Sequence, residues 1–599
     1  MSEHLIVAAA TYLVAILVMS LGALIGVRRP AMALVVGWGI ATLTLVLLGT
    51  VGGMALSPVL AALAVLGLCG LFRWRRLEWR AAFPVLVLGL PYLAIAASIT
   101  PAGYDEYSQW LPNILYLVRY DHFPSLGGDP SISIHPGYPH ASAFVGLAVS
   151  RLTGILAETA VINWNALLNL AVGGLASEMI LARSVTSNRW CSAAIGLLAN
   201  GILSPAFVPA MYLSNYGDAI TGQVAAIMVG EILLGGIAFA RRSDGLAIGL
   251  AAASLVSIRQ DSFSIFGIML IAWLLLLFWR ARGRPSPASL LGPLLSLPFP
   301  LITWWLWQHY QIEQIPEGVA SVQPWAAWYW GDLPAILGSI LAVLGHKCGY
   351  TLALAATIVG GGFFYRKLAP AVRESALFGA AMGLGHLVSM VGIYLAVDTG
   401  GEAARVAPEF WRFTQHVAPV VIFCALPLLP LRSVFKDRYA LYLPVAVILI
   451  ECAAFPFLRV DAPRPKHTVY VDLRQMAQEM ANSLPPHAHV AMVEMDTDAG
   501  TIQEIFPLHY RYLALRAETP ADSIYMVAGT PPRSVTLAAS PPKSKEFRAF
   551  PPEVDYAWVS DGGPEPSLIM GTDLAIGSSY LLRRDGDHFV IQSSWPRRI

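Results

Sequence analysis

The sequence has 599 residues, of which 56% are hydrophobic and only 13% are charged, and its formal net charge is +1. Charged residues make up about a quarter of an ordinary soluble domain, so this composition excludes a chain that is soluble throughout. The balanced charge, without a basic patch, also gives no indication of nucleic-acid binding.

Apolar runs recur along the first 458 residues. A helix needs roughly 20 apolar residues to cross a bilayer, and helices satisfy their own backbone hydrogen bonds there. We therefore expect an all-α polytopic membrane protein, followed by a soluble α/β domain. About fourteen spans are predicted, at 5–27, 31–52, 55–72, 83–100, 159–182, 190–207, 218–240, 244–258, 261–279, 288–308, 347–365, 374–397, 414–430 and 438–457.

Basic residues between these spans indicate the orientation, because Lys and Arg accumulate in short cytoplasmic loops. They fall on one side if the N-terminus is outside, and they cluster at 28–29, 73–80, 240–243, 279–284, 365–368 and 431–438. The polar loops then share the outer side with the C-terminal region, at 101–138, 204–219, 257–262, 308–332 and 398–416.

Two apolar segments, 139–154 and 333–347, are short for full spans. Counting either as a span would reverse every later loop and break the basic-inside pattern. We expect both to be helices along the outer membrane surface. The alternative is that they are tilted short spans.

The region 459–599 differs in composition, being rich in Pro and mixed in charge. "DLRQMAQEMANSL" has helical periodicity, and "HVAMVEM" resembles a strand. In "SSYLLRRDGDHFVIQSS" the Asp-Gly pair predicts a hairpin turn. These patterns predict a small soluble α/β domain.

Asp105 and Glu106 stand side by side in "SITPAGYDEYSQW", directly after a predicted span. A carboxylate at a membrane boundary is costly to desolvate and is usually paired or functional. The alternative is an ordinary solvated loop. After the pair, "YSQWLPNILYLVRYDHFP" can form an amphipathic helix, and "HPGYPH" follows with His135 and Tyr138.

This order of segments resembles the first outer loop of the GT-C superfamily of membrane glycosyltransferases, of the protein O-mannosyltransferase and aminoarabinose transferase type. Three later segments resemble that family too: "NYGDAITG" with Asp218, "LVSIRQDSFSIF" with Arg259, and "WRFTQHVAPVVIF" with Arg412 and His416. The likeness covers roughly 83–458, with the outer loop at 101–158, and it leaves 1–82 as additional N-terminal transmembrane helices.

The resemblance implies a sugar donor linked to polyprenyl phosphate, used on the outer face. The acceptor hydroxyl would belong to a glycan, a lipid or a protein of the cell envelope. The residue composition suits a bacterium, with the protein in the inner membrane and both the active site and the C-terminal domain in the periplasm.

Such a reaction needs a base for the acceptor hydroxyl and cations for the departing phosphate. We expect Asp105 to be the general base and Glu106 to support it or to help bind a cation. The transfer would invert the anomeric centre.

The expected substrate-binding residues each have a structural alternative. Asp218 would be a supporting carboxylate or a metal ligand, or else the N-cap of the next span. Arg405 and Arg412, with His416 beside them, would bind phosphate or anchor at the headgroup level. Lys347 would reach a phosphate or extend its amine to the membrane surface.

Arg259 would bind substrate with Asp261 beside it, or the two residues would only form an ion pair with each other. His135 and Tyr138 complete the predicted substrate-binding set.

No cofactor is required by the resemblance. The spacing of His122, His135 and His140 matches no compact ligand motif. We therefore interpret these histidines as polar residues of surface loops rather than as zinc ligands. A Mg²⁺ or Mn²⁺ ion on the carboxylates is compatible with their oxygen chemistry.

Two other functions use lipid-linked glycans. An enzyme of the O-antigen ligase or polymerase type would place its cations in one large outer loop. A lipid-linked sugar transporter or flippase would need ionisable residues inside its spans, and Glu231, His386 and Glu451 lie inside predicted spans.

Overall fold

The computed structural model describes most of residues 2–458 and short stretches of the C-terminal region. The described residues are 2–101, 105–129, 131, 133–183, 188–200, 213–236, 242–315, 322–397, 405–429, 442–458, 476, 478–480, 482–485, 488, 490–493, 524–526, 554–559, 567, 570–586 and 588–596. Two compact units divide the chain. The first comprises Met1–Ile99, Tyr116–Asp129 and Gly137–Leu458, and the second comprises Thr100–Leu115, Pro130–Pro136 and Arg459–Ile599.

The first unit is helical in its described residues. Its first half contains α1 (Ser2–Leu24), α2 (Pro30–Thr50), α3 (Leu56–Gly70), α4 (Trp79–Leu88), α5 (Leu90–Ser98), α6 (Leu111–Tyr120, shared with the second unit), α7 (Ala141–Thr153), α8 (Ala160–Ala182) and α9 (Arg189–Leu198). Its second half contains α10 (Gly217–Gly235), α11 (Arg242–Val256), α12 (Ser262–Arg280), α13 (Pro287–Ser296), α14 (Pro298–Gln314), α15 (Leu333–His346), α16 (Cys348–Gly362), α17 (Pro370–Ala396), α18 (Phe410–Phe413), α19 (Ala418–Ala425) and α20 (Tyr442–Leu458).

The prediction of a multi-pass helical membrane protein holds, but the count of fourteen spans is not confirmed. In the described part of the chain, eight helices are long and apolar enough to cross a membrane, or up to ten if each bent pair is one span. The bent pairs are Trp79–Leu88 with Leu90–Ser98, at 54°, and Trp330–His346 with Cys348–Gly362, at 103°.

Four predicted spans correspond to shorter helices in the described residues. α9 has 10 residues and α11 has 15, while the apolar segments Ala418–Leu428 and Tyr442–Ala453 are also below the spanning length. The predicted spans at 190–207 and 438–457 include residues 201–207 and 438–441, respectively, which lie outside the described part of the chain.

The two short apolar segments form helices of 13 and 14 residues, α7 and α15. α7 packs on α1, α3 and α8, and most of its residues are buried, so protein covers much of its apolar surface. α15 buries one stripe, Ile336, Ile340 and Leu344, at a spacing of four residues. Its sharp angle to α16 shows that the two do not continue as one straight helix.

Close backbone contacts hold α1, α2 and α11 together. A Cβ added at Gly37 would lie 1.7 Å from the carbonyl oxygen of Val18, and one at Gly39 would lie 1.6 Å from that of Leu250. Glycine is therefore required at both positions. Small residues at helix contacts are the usual means of close packing in membranes, where lipid is as apolar as the side chains.

The described residues of the C-terminal region form a five-stranded sheet. Its strands are β1 (Val490–Val493), β2 (Ile524–Met526), β3 (Tyr556–Val559), β4 (Ser578–Asp585) and β5 (His588–Pro596). The order is β2-β1-β3-β4-β5, with β1 parallel to β2 and β3 and the other pairs antiparallel. The strand in "HVAMVEM" and the hairpin at Asp585–Gly586 were both predicted, and Asp585 pairs with His588. The predicted helix in "DLRQMAQEMANSL" is only partly described.

The contact between α2 and α11 predicts that adding one methyl group at Gly39 destabilises the protein. Gly39→Ala would force its Cβ into the Leu250 carbonyl, and overpacking of this kind costs about 1–3 kcal/mol. Gly267→Ala on α12 is the matched control, because nothing lies within 4 Å of its added Cβ. Thermal unfolding of the purified protein should show a clear loss of stability for Gly39→Ala and none for Gly267→Ala. Equal stability of the two variants would contradict the packing described.

Candidate functional site

A buried carboxylate, that of Asp218, lies at the centre of a charged cluster in the first unit. Its oxygen Oδ1 is 3.0 Å from Nη1 of Arg259 and 3.1 Å from Nε2 of His416. Its Oδ2 is 3.3 Å from Nε of Arg412. Asp218 is fully buried and Arg259, Arg412 and His416 are nearly so. Burying a carboxylate is costly unless it is paired, so these three partners are what permit it here.

Asp261 adds a second carboxylate to this cluster. Its Oδ1 is 3.0 Å from Nε of Arg259, and its Oδ2 is 3.5 Å from Nδ1 of His416. Arg259 therefore bridges two carboxylates, and His416 lies between the same two. The five residues Asp218, Arg259, Asp261, Arg412 and His416 are called the charged cluster below.

Helix ends position the members of the charged cluster. Asp218 lies in the first turn of α10, after Tyr216 in extended conformation, and Asp261 is the residue before α12. Carboxylates at helix N-termini are favoured by the helix dipole. Asp218 is thus not the N-cap that was considered as its alternative: Tyr216 has that position, and the Asp218 side chain makes ion pairs instead.

Arg412 and His416 belong to two short consecutive turns, Phe410–Phe413 and Thr414–His416. These turns approach α10 closely at Gly222, where an added Cβ would lie 2.0 Å from the carbonyl oxygen of Gln415. Any larger residue at 222 would push this segment away from Asp218.

Aromatic rings cover both guanidinium groups of the charged cluster. The Phe413 ring has Arg259 at 5.4 Å and Arg412 at 5.6 Å, and Arg412 also lies 5.3 Å from the Tyr216 ring. Cation–π contacts are worth about 2 kcal/mol when desolvated. Phe413 was not predicted as a site residue, although it stands directly beside Arg412 in "WRFTQH".

The two guanidinium groups of the charged cluster face two carboxylates, and the His416 ring lies between those carboxylates. Glu409 lies 3.1 Å from Nη2 of Arg412 and is half exposed at the edge of the cluster.

The ion pairs shift the ionisation of Arg259 and Asp261. Burial would lower the pKa of Arg259, but Asp218 and Asp261 raise it well above its usual range. Burial would raise the pKa of Asp261, but Arg259 and His416 lower it below its usual value. Both side chains are therefore charged near neutral pH.

Two buried amides belong to the segments that build the cluster. Gln223 follows Gly222 on α10, and Gln415 precedes His416; both are fully buried. Within the described residues, neither amide group has a hydrogen-bond partner. Buried polar groups of this kind need an explanation such as water or a ligand.

The structure does not place Arg405 and Lys347 in the charged cluster. Arg405 is exposed, and its Nε lies 2.7 Å from Oδ1 of Asp332. The Lys347 amine lies 5.5 Å from the centre of the Trp411 ring. Tyr138 is near enough to Arg259 to contribute to the raised pKa of that guanidinium.

Asp105, Glu106 and His135 lie in the second unit. A π-helical turn runs from Glu106 to Trp110, with Asp105 just before it and the Glu106 side chain buried. Such turns occur frequently at functional sites. The amide of Ile134 donates to the carbonyl oxygen of Ser108 at 2.8 Å, which ties the segment of His135 to this turn.

Among the described residues, no group of three or more His, Cys, Asp or Glu side chains is arranged to hold a metal ion. His122 lies 3.7 Å from Asp129 in an exposed pair, and His140 packs against Phe123 and Trp307. A Mg²⁺ or Mn²⁺ ion on Asp105 and Glu106 stays a prediction.

Comparisons with known proteins identify no family for this chain. No protein-family model and no curated protein matches it. Among solved structures, it is similar to the crystal structure of the Archaeoglobus fulgidus oligosaccharyltransferase in complex with Zn and sulfate. That alignment covers 85% of this chain and 72% of the other, with 12% identity and a TM-score of 0.32. A TM-score this low does not establish a shared fold.

The charged cluster predicts that replacing Asp218 lowers the stability of the protein much more than replacing Asp332. Asp218→Asn leaves two buried guanidinium groups without their shared carboxylate, and breaking a buried pair costs about 3–5 kcal/mol. Asp332→Asn is the matched control, because its partner Arg405 is 56% exposed and such pairs contribute about 0–1 kcal/mol. Unfolding midpoints of the two variants in the same detergent measure the difference. Similar midpoints would show that Asp218 does not hold the cluster together.

Proposed function

We propose that this protein is a membrane glycosyltransferase that moves a sugar from a polyprenyl-phosphate carrier to an acceptor hydroxyl. The acceptor belongs to a glycan, a lipid or a protein, and the reaction takes place on the outer face of the bacterial inner membrane. The anomeric centre is inverted, because the hydroxyl attacks opposite the departing phosphate.

One observation carries the proposal. The segments "NYGDAITG", "SIRQDS" and "WRFTQH" resemble segments of a glycosyltransferase family, and they lie apart along the chain. Asp218, Arg259 and Arg412, one from each segment, meet in a single buried cluster. Structural ion pairs alone would not require the same three segments.

The charged cluster suits the phosphate end of such a donor. Arg259 uses Nη1 for Asp218 and Nε for Asp261, which leaves Nη2 outside both pairs. Arg412 uses Nε for Asp218 and Nη2 for Glu409. Planar guanidinium groups held in this way are oriented for phosphate oxygens. Asp218 and Asp261 are then positioning residues, and the arginines stabilise the charge that develops on the phosphate.

The bonds change as follows. The acceptor oxygen forms a bond to the anomeric carbon while its proton passes to a carboxylate. The bond between that carbon and the phosphate oxygen breaks, and its electron pair leaves with polyprenyl phosphate. Asp105 is the proposed base, supported by Glu106, and this assignment rests on the sequence pattern and on the π-helical turn at Glu106.

A polymerase or ligase would act on the same type of carrier, whereas a flippase would move the lipid without breaking this bond. Two of the three ionisable residues inside helices have partners that a stable fold explains, whereas Oε2 of Glu451 is buried without a hydrogen-bond partner among the described residues. Glu231 pairs with Arg29 at 2.9 Å, and Nε2 of His386 donates to the carbonyl oxygen of Phe413 at 3.1 Å.

The proposal predicts the result of a release assay. The purified full chain is given a polyprenyl-phosphate sugar labelled in the sugar, and released polyprenyl phosphate is measured. Asp105→Asn should lower the rate by about 10²–10⁴-fold, the usual contribution of a general base. Glu313→Gln is the control, because this glutamate is exposed at the end of α14.

Unchanged release by Asp105→Asn would remove Asp105 as the base. Translocation of the labelled lipid by the wild type without any release would overturn the proposed reaction.

A further inference from the structure

A second feature of the first unit is a cavity of about 560 Å³ between helices. Its walls come from α1, α2, α4 and α8 and are apolar, with Ile16, Leu34, Leu86, Leu170 and Leu175 among the lining residues. Ligand pockets commonly have volumes of about 300–1,000 Å³ and mostly apolar walls. A cavity of this size in a membrane protein is large enough for part of a lipid.

Charged residues lie at one end of this cavity. Arg29 lines it and pairs with Glu178 at 2.7 Å and with Glu231 at 2.9 Å. Glu231 is 13 residues after Asp218 on the same helix, α10, so about 20 Å of helix separates the two positions. The cavity is therefore distinct from the charged cluster.

Exposed cations lie next to the residues that line the cavity near Arg29. Trp74, Glu78 and Trp79 line the cavity, and Arg75 and Arg76, which do not line it, follow Trp74 in the chain with exposed side chains. Arg28 is also exposed, 4.0 Å from Glu78. Arg29 already forms ion pairs with two carboxylates. The exposed arginines are therefore the groups that can bind an anionic headgroup.

We infer that this cavity binds an anionic phospholipid of the bilayer, with one acyl chain between α1, α4 and α8 and the phosphate at the arginines beside Trp74. The basic-inside pattern predicts that these arginines face the cytoplasm, where the leaflet is rich in anionic lipids that attract basic residues. Tryptophan at the headgroup level suits the same position. This inference does not rest on the proposed transferase activity.

A bound lipid would bridge the N-terminal helices and α8. A ligand that binds only the folded state raises stability in proportion to the logarithm of its concentration over its Kd. The lipid would therefore act as a structural component of the first unit.

The test uses native mass spectrometry of the full chain in detergent. The protein is delipidated and then given phosphatidylglycerol or phosphatidylcholine with identical acyl chains. The wild type should retain one phosphatidylglycerol and at least fivefold less phosphatidylcholine.

Gly174 offers a matched pair of variants. An added Cβ there meets only Ala82, at 3.7–3.8 Å, so Gly174→Ala fits. Gly174→Phe would fill the cavity and should lower phosphatidylglycerol retention at least tenfold, while Gly174→Ala should retain it within twofold. If Gly174→Phe fails to fold, Ala171→Phe fills the same cavity from the next turn of α8.

The charged end is tested by changing Arg75 and Arg76 to Gln together. This double variant should bind both lipids equally, because the headgroup attraction is lost while the apolar walls remain. Full retention by a cavity-filling variant, or equal retention of the two lipids by the wild type, would overturn the inference. A second measurement leaves the cavity unfilled and uses phosphatidylglycerol with brominated acyl chains, which quench tryptophan fluorescence. This lipid should quench the fluorescence of the wild type more than that of Trp74→Phe. Equal quenching of the two proteins would also overturn the inference.

Discussion

The structure of the first unit depends on keeping the Asp218 carboxylate ionised inside a helical bundle. An unpaired buried carboxylate would be too costly, and here it is compensated by Arg259, Arg412 and His416. These partners come from two other parts of the chain, so one carboxylate fixes the start of α10 against the segment before α12 and the turns before α19. Because Arg259 and Arg412, which pair with Asp218, are also the groups proposed to hold a phosphate, the proposal makes folding of this region and binding of the donor depend on the same contacts.

The class of the fold followed from the sequence, whereas the number of spans did not. Hydropathy counts apolar residues and does not detect where a helix bends or ends. The run around Gly89 is apolar throughout, yet it divides into two helices at 54°. α7 is apolar because other helices bury it, and its 13 residues are too few to span. The hairpin at Asp585–Gly586 was predictable because its turn chemistry is local.

The sequence located the charged residues at helix ends but predicted only one of their pairs, Arg259 with Asp261. Arg405 and Arg412 stand in the same loop and have the same side chain, yet one is exposed beside Asp332 and the other is buried beside Asp218. The difference is set by the close approach at Gly222, a tertiary contact between segments nearly 200 residues apart that leaves no local pattern. Arg259 and Asp261 do pair, as one interpretation of "SIRQDS" expected, but Arg259 also binds Asp218.

The central claim, that the charged cluster binds the donor phosphate, is tested most directly by the affinity of the purified protein for a short-chain prenyl phosphate. Isothermal titration of the wild type is compared with Arg412→Gln and with Arg405→Gln, the exposed arginine of the same loop. A charged hydrogen bond contributes about 1.5–3 kcal/mol, so Arg412→Gln should weaken binding roughly 10- to 100-fold while Arg405→Gln leaves it unchanged. Equal affinity of the wild type and Arg412→Gln, with both folded, would contradict the claim.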